Sequence, residues 1–386
     1  MTAPFSGSPP RHINFSEEKN IESFSKARKI LLECKASVYS LQEYDDEAAN
    51  RIYTEAEGYL WRREYDLALP LYYKLSGKRF FSAMCLFRIA QIANVLNDAA
   101  YASTCFYKAF EDEPYLNRRL LPKESPLHMQ VYERMDNRRW ETCPLCGGVG
   151  RPLWCYYIAM RPNCPKYFNP IRTWLYCKAC HHLWSAEMTE YDEVEAPIMH
   201  TSLETRANSI MFPTYSRILN ALRKYAQGSA LLEVGVGEGE CIAVARELLY
   251  DVTGIDITKA CVDYVNETFH LDVIHADFST YSFERLFDVI IMGDVVEHVR
   301  DPRSFIKKAA EHSHTGTVLW VSTPSFESVY TLAAGHDDLM RLEPSHCGYF
   351  SYFSLCGLLN AYGFEVTNYE VSANYYGSME VTAIKR

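Results

Sequence analysis

One stretch limits what this chain can fold into more than any other: Leu231-Leu232-Glu233-Val234-Gly235-Val236-Gly237-Glu238-Gly239-Glu240. An apolar run gives way to a loop with three glycines, and a helix-forming segment follows from Cys241. Strand, glycine turn and helix form the first half of a parallel βαβ unit. Glycine lets the backbone turn sharply and lets a ligand approach with no Cβ in the way. A second apolar strand, Val252 to Ile255, ends at Asp256. A carboxylate there can accept from the hydroxyls of a ribose. Gly235, Gly237, Gly239, Asp256 and its neighbour Ile257 are therefore expected to hold a nucleoside.

The loop chemistry narrows the ligand. Its spacing is G-x-G-x-G, and it carries Glu233, Glu238 and Glu240. A pyrophosphate would be repelled by those carboxylates. S-adenosylmethionine has no phosphate and carries a sulfonium and an ammonium. On these residues the stretch resembles the first motif, E/D-x-G-x-G-x-G, of the class I S-adenosylmethionine-dependent methyltransferases. The bland alternative is the βα turn of an NAD-type domain. The resemblance continues downstream and covers about residues 205–386. Leu271 to His275 reads as a third strand, followed by Asp277 and Phe278; in the family such a pair meets adenine, the carboxylate accepting from its amine. Phe287 to Met292 reads as a fourth strand, apolar enough to be buried on both faces. After it, Asp294-Val295-Val296-Glu297-His298-Val299-Arg300-Asp301-Pro302 resembles the D-x-x-E-H-V-x-D-P signature of small-molecule methyltransferases. Thr317 to Pro324 gives a fifth strand, and Phe364 to Val371 with Met379 to Lys385 a closing hairpin. The implied fold is α/β: a Rossmann-like, doubly wound sheet of seven strands with one antiparallel edge. The cofactor the resemblance implies is S-adenosylmethionine, expected to be held by Glu233, the glycines, Asp256, Ile257, Asp277, Phe278 and Asp294.

Methyl transfer needs an aligned acceptor and often a base. His346 lies in Glu343-Pro344-Ser345-His346-Cys347-Gly348-Tyr349-Phe350-Ser351, which resembles the P-x-H…F-S segment bordering the acceptor pocket in these enzymes. His298 is the rival base, and His336 a further candidate. In ubiquinone-type O-methyltransferases a similar D/E-x-x-E-H group holds a divalent ion, and that resemblance makes Asp294, Glu297 and His298 a candidate Mg²⁺ site. Tyr215 and Arg217, on an amphipathic segment before the glycine loop, are candidates to line the substrate pocket.

Upstream, the chain divides further. Residues 1–18 are polar and expected to be disordered. Residues 19–120 read as helical, interrupted by Gly58, Pro70 and Gly77. Shifting Ala68, Tyr72, Tyr73 and Lys74 by 34 positions gives Ala102, Phe106, Tyr107 and Lys108, and Ala56 falls on Ala90. This resembles the tetratricopeptide repeat, whose small residues let paired helices approach; the plain alternative is a generic bundle. Such a module is expected to pack on its neighbour, self-associate or dock a protein or carrier partner. In residues 140–190, Cys143-Pro144-Leu145-Cys146 and Cys177-Lys178-Ala179-Cys180 form two CxxC knuckles around an aromatic, β-prone segment. Four thiolates so placed can hold one structural Zn²⁺ in a small zinc ribbon, with Cys155 and Cys164 as bystanders. Residues 200–386 are expected, from the resemblance, to form the methyltransferase domain.

The net charge of -10 argues against a broad nucleic-acid footprint. The odd total of 13 cysteines suits reduced thiols, hence a cytoplasmic location, better than a disulfide framework. Neither a membrane span nor a secretory signal is expected. The reading is an S-adenosylmethionine-dependent methyltransferase acting on oxygen of a small-molecule or natural-product acceptor. One alternative is a methyltransferase for a protein, carrier-bound or RNA substrate docked by the upstream modules. Another is a non-enzymatic repeat adaptor with a degenerate methyltransferase fold.

Overall fold

A computed structural model describes residues 21–36, 44–78, 81–125, 127–132, 140–159, 169–187, 211–372 and 376–386. The stretch 1–18 and Cys164 lie outside the described residues. The chain opens with α1 (Ile21–Ala36), α2 (Asp46–Trp61), α3 (Tyr65–Leu75), α4 (Ser82–Val95), α5 (Ala99–Asp112) and the short α6 (Asn117–Leu120). The 34-residue offset carries Tyr65, the first residue of α3, onto Ala99, the first of α5. Ala56, Ala68, Ala90, Ala102 and Ala109 are fully buried, as close helix pairing requires. Pro70 does not interrupt the helix; it lies inside α3. Its missing N–H costs a hydrogen bond, and the buried Leu69, Tyr72 and Tyr73 around it hold the helix in place.

Next come β1 (Arg151–Tyr157), β2 (Ile171–Tyr176) and β3 (Leu183–Ser185), paired antiparallel in that order. Tyr157 of β1 meets Phe87 of α4 edge-on at 5.0 Å and stacks on Phe110 of α5 at 5.7 Å. The helices and this small sheet thus share one apolar core.

The C-terminal part runs α7 (Met211–Leu222), β4 (Ala230–Val234), α8 (Glu240–Glu247), β5 (Asp251–Asp256), α9 (Lys259–Phe269), β6 (Ile274–His275) and β7 (Phe287–Gly293). It continues with α10 (Pro302–Glu311), β8 (Ser313–Pro324), α11 (Val329–Ala334), β9 (Gly348–Tyr349), α12 (Tyr352–Ala361), β10 (Phe364–Val371) and β11 (Ser378–Lys385). In the described residues its sheet has seven strands in the order β10-β11-β8-β7-β4-β5-β6. Strands β4 to β8 run parallel, and β11 runs antiparallel to both β8 and β10. The antiparallel strand is therefore not at the edge, as expected, but one place inside it. The closing hairpin seats its second strand on β8 and leaves β10 outermost. β6 is shorter than the expected Leu271–His275, because the Val273 amide donates to the Asn266 side chain of α9 at 2.8 Å. Ile218, Leu219 and Leu222 of α7 pack on one face of the sheet with Leu231, Val289 and Ile291. Phe305 and Ile306 of α10 and Leu355 and Leu359 of α12 pack on the other with Leu232, Ile290 and Leu319.

β9 does not join the large sheet. It pairs antiparallel with β3, Leu183 opposite Tyr349 and Trp184 opposite Gly348. The small sheet is thereby stitched into the C-terminal part. Among the described residues no helix is long and apolar enough to cross a membrane.

Candidate functional site

The strand order reverses between β7 and β5 around β4, and ligands of such sheets sit beyond the carboxyl ends of the strands at that switch point. The glycine loop lies there. Gly235 has φ 75° and leaves no room for a side chain: a Cβ would come within 2.6 Å of Val295 Cγ2. Gly237 also has positive φ, 53°, yet a Cβ there would meet nothing within 4 Å. The first glycine is needed for packing against the β7 turn; the second fronts open space, as a ligand cradle does. Gly239 caps α8.

Asp256 latches this loop. Its Oδ2 accepts from Gly237 N at 3.1 Å and its Oδ1 from Thr258 N at 2.7 Å. A carboxylate has about four lone-pair sites, so roughly two remain for a ribose. Glu233 is buried beneath the loop, and its Oε2 has no hydrogen-bond partner among the described residues. Burial, then the charges of Glu240 and Asp256, push its carboxyl well above the usual range, against the opposing Cys241 thiol and Ile242 N–H. Such a crowd of carboxyl groups favours a cation over a phosphate. Asp277 sits past β6 and accepts from the Ser279 amide and hydroxyl, each at 2.8 Å. Ile257 is 52% exposed, whereas Phe278 is 4% exposed and packs edge-on against Phe305 at 4.9 Å. Phe278 is thus a core residue; Ile257 offers the open apolar surface.

Asp294, at the end of β7, has φ 51°, a backbone conformation uncommon outside glycine and concentrated at functional sites. Its amide donates to Ser322 O and its Oδ1 accepts from the Ser322 hydroxyl, both at 3.0 Å. Burial pushes its carboxyl up to about 6, with Ser322 opposing and Glu380 adding. Glu297 is buried in the following turn and accepts from the Thr323 hydroxyl at 3.0 Å. Burial and then Asp294 raise its pKa well above the usual range.

The two rival histidines meet here. His298 and His346 face each other edge to face, ring centroids 4.9 Å apart. His298 Nδ1 lies 3.4 Å from Ser345 O, and His346 Nδ1 3.1 Å from Met340 O. One donor atom from each of Glu297, His298 and His346 falls within 4.8 Å of the others. The trio expected for a divalent ion is thus changed, because the Asp294 carboxylate is turned to Ser322 and His346 takes its place. His336 stands elsewhere, its Nδ1 3.3 Å from the Tyr156 hydroxyl and 3.4 Å from Asn94 Nδ2. Tyr215 packs with the α7 core and Arg217 reaches Glu370 at 3.8 Å, so neither joins the histidines.

The cysteine knuckles converge as well. Cys143 and Cys180 Sγ are 3.4 Å apart, as are Cys146 and Cys177, and all four lie within 4.8 Å. A tetrahedral zinc with Zn–S of about 2.3 Å sets sulfurs about 3.8 Å apart, so this donor set fits the metal. The Cys180 hydrogen bond pushes the Cys143 thiol down to about 6, against burial. The fold makes each knuckle a tight turn: Gly147 N donates to Cys143 O and His181 N to Cys177 O, both at 2.9 Å. Cys155, the bystander, is buried on β1.

Sequence reasoning missed Ser322 and Thr323, which secure the acidic pair, and Arg172 of β2. A lone arginine in the apolar and aromatic run Ile171-Arg172-Thr173-Trp174-Leu175-Tyr176 was the available signal, since arginine is rarely buried without strong partners.

Residues 207–369 match the family model described as "Methyltransferase domain". A probable S-adenosylmethionine-dependent methyltransferase of Mycolicibacterium smegmatis is 27% identical over 157 residues, 40% of this chain and 59% of that protein. The (S)-tetrahydroprotoberberine N-methyltransferase of Eschscholzia californica is 26% identical over 102 residues, 24% of this chain and 29% of the relative. The chain thus spans less than two thirds of the length of either relative. The magnesium protoporphyrin IX methyltransferase of Synechocystis, solved with S-adenosylmethionine, is 15% identical with a TM-score of 0.39, covering 52% of this chain and all of that one.

Proposed function

We propose that this chain, which carries a class I S-adenosylmethionine-dependent methyltransferase domain over the matched residues 207–369, transfers methyl groups to oxygen of a small-molecule or natural-product acceptor. The observation that carries the reading is the glycine loop latched to Asp256, with a pair of histidines, His298 in the turn after β7 and the buried His346 against it, beyond the carboxyl ends of the same sheet. When bound, S-adenosylmethionine supplies a methyl group on a sulfonium, open to in-line attack. Asp256 would accept from the ribose hydroxyls, exposed Ile257 would cover one adenine face, and Asp277 would accept from the adenine amine. Glu238, Glu240 and Asp294 would favour the cationic end, and the Glu233 carboxyl would line the floor of the loop beneath it. His346 would take the proton from the acceptor hydroxyl, and His298 would support the ring of His346 from the side. An amine with a free lone pair needs no such base, so the imidazole pair favours a hydroxyl.

The donor set Glu297, His298 and His346 supports a second reading, a divalent ion that lowers the acceptor's pKa. Zinc at Cys143, Cys146, Cys177 and Cys180 would be structural, since four thiolates leave no open position. The reduced thiols it needs suit a cytoplasmic setting. The N-terminal helices are read as tetratricopeptide-like pairs, supported by their offset and buried alanines.

Incubation with methyl-labelled S-adenosylmethionine and extract of the source cell tests the reading. Label in a small-molecule fraction, as a base-resistant ether, supports it; label confined to protein or RNA overturns it in favour of a docked macromolecule.

A further inference from the structure

We infer that Arg172, on β2 of the cysteine-bearing sheet, is a positioning residue for the acceptor-side histidines; this rests on the site reading above. Arg172 is 4% exposed. Its Nη1 donates to Glu343 O and His346 O, each at 2.7 Å, and its Nη2 to Pro344 O. One guanidinium thus gathers three carbonyls of the loop that carries His346. The loop's exit is held by the same sheet: Ser185 N donates to Cys347 O at 3.0 Å, and β9 then pairs with β3.

The other side of this loop touches the β7 turn. Cys347 N donates to Glu297 O at 2.7 Å, and His298 Nδ1 lies 3.4 Å from Ser345 O. Both histidines therefore take their places from one short segment that Arg172 fixes. The same strand runs on from Arg172 to Cys177, so the thiolate knuckle and the clamp belong to one rigid piece. The small sheet is in this view part of the acceptor site's frame, not an appendage for docking substrates. Lysine cannot replace this arginine: an ammonium on a flexible stem lacks the planar fork that reaches several carbonyls at once.

The test uses the full chain with isotope-labelled histidine, as wild type, Arg172→Lys and Arg172→Gln. The ring signals of His298 and His346 are identified by their loss in the corresponding alanine variants. S-adenosylmethionine affinity is measured by calorimetry on every variant. The expected result is unchanged cofactor affinity, displaced ring signals for both histidines, and label transfer reduced about ten- to a hundredfold. Wild-type ring signals in the Arg172 variants would overturn the inference. So would loss of cofactor binding in both variants, which would make Arg172 a general support of the fold. Failure of the site reading is separate: label transfer unchanged in His346→Ala removes the catalytic role of that histidine, whatever the ring signals of the Arg172 variants show.

Discussion

Replacing Cys143 and Cys177 together by serine removes one sulfur from each of the two 3.4 Å pairs. The two remaining thiolates cannot close a tetrahedral site, so zinc should be lost. Structural zinc binds with an apparent free energy of about 10–16 kcal/mol. Whole domains are stable by only about 5–15 kcal/mol, so the loss is enough to open the knuckle region. The structure says what should follow. Trp174 and Trp184 are fully buried on β2 and β3, and the Trp184 indole donates to Trp140 O across the first knuckle at 2.8 Å. Arg303 of α10 donates to Leu145 O within that knuckle at 2.7 Å. Opening it exposes these indoles and frees α10 from its contact. The assay is metal analysis of the purified chain, expected to give one zinc per wild-type chain, with tryptophan emission followed during chelation. The emission should shift to the red as zinc leaves, and the double variant should show the shifted spectrum at the outset. Stoichiometric zinc in the double variant, or zinc loss with emission and melting unaltered, would refute the reasoning.

Three further outcomes are expected. Asp256→Ala removes the two backbone bonds that latch the loop as well as the ribose contact, so S-adenosylmethionine affinity should fall by about 2 kcal/mol or more in calorimetry on folded protein. His346→Ala should lower label transfer by about 10²-fold with cofactor affinity intact; if His298→Ala has the larger effect and chelator abolishes activity, the divalent-ion reading replaces the base. Asp294 holds its proton to about pH 6 in the folded chain, against an ordinary 3.8. Between those values the folded state binds a proton the unfolded state has released, so its contribution to stability falls as pH rises, by at most about 3 kcal/mol. Denaturant melts of Asp294→Asn across that window, with no cofactor present, should lack this slope relative to wild type.

Much of this architecture is legible in the residues. The glycine spacing, Asp256 and the apolar strand at Phe287 describe a parallel sheet because each feature is local, readable within a few positions. The cysteine pairs are legible for the same reason: a knuckle is a short turn. What could not be read depends on distant partners. Phe278 has the sequence of an adenine contact but turns toward Phe305, and only the packing of α10 on the sheet decides that. The antiparallel strand lies inside the edge because a hairpin has two ways to dock, and its own sequence does not choose between them. His298 and His346 looked like alternatives in the sequence and are neighbours in space. Arg172 is separated from the carbonyls it gathers by most of the C-terminal part of the chain, so only its burial in an apolar strand hinted at a role.

The measurement that bears most directly on the central claim is an equilibrium titration of the intact chain with S-adenosylmethionine, with NAD as comparator. The loop's carboxylates and the Asp256 latch predict one S-adenosylmethionine site per chain, weakened in Asp256→Ala, and no measurable binding of the pyrophosphate-bearing NAD. Tight NAD binding with S-adenosylmethionine inert would contradict the account at its base.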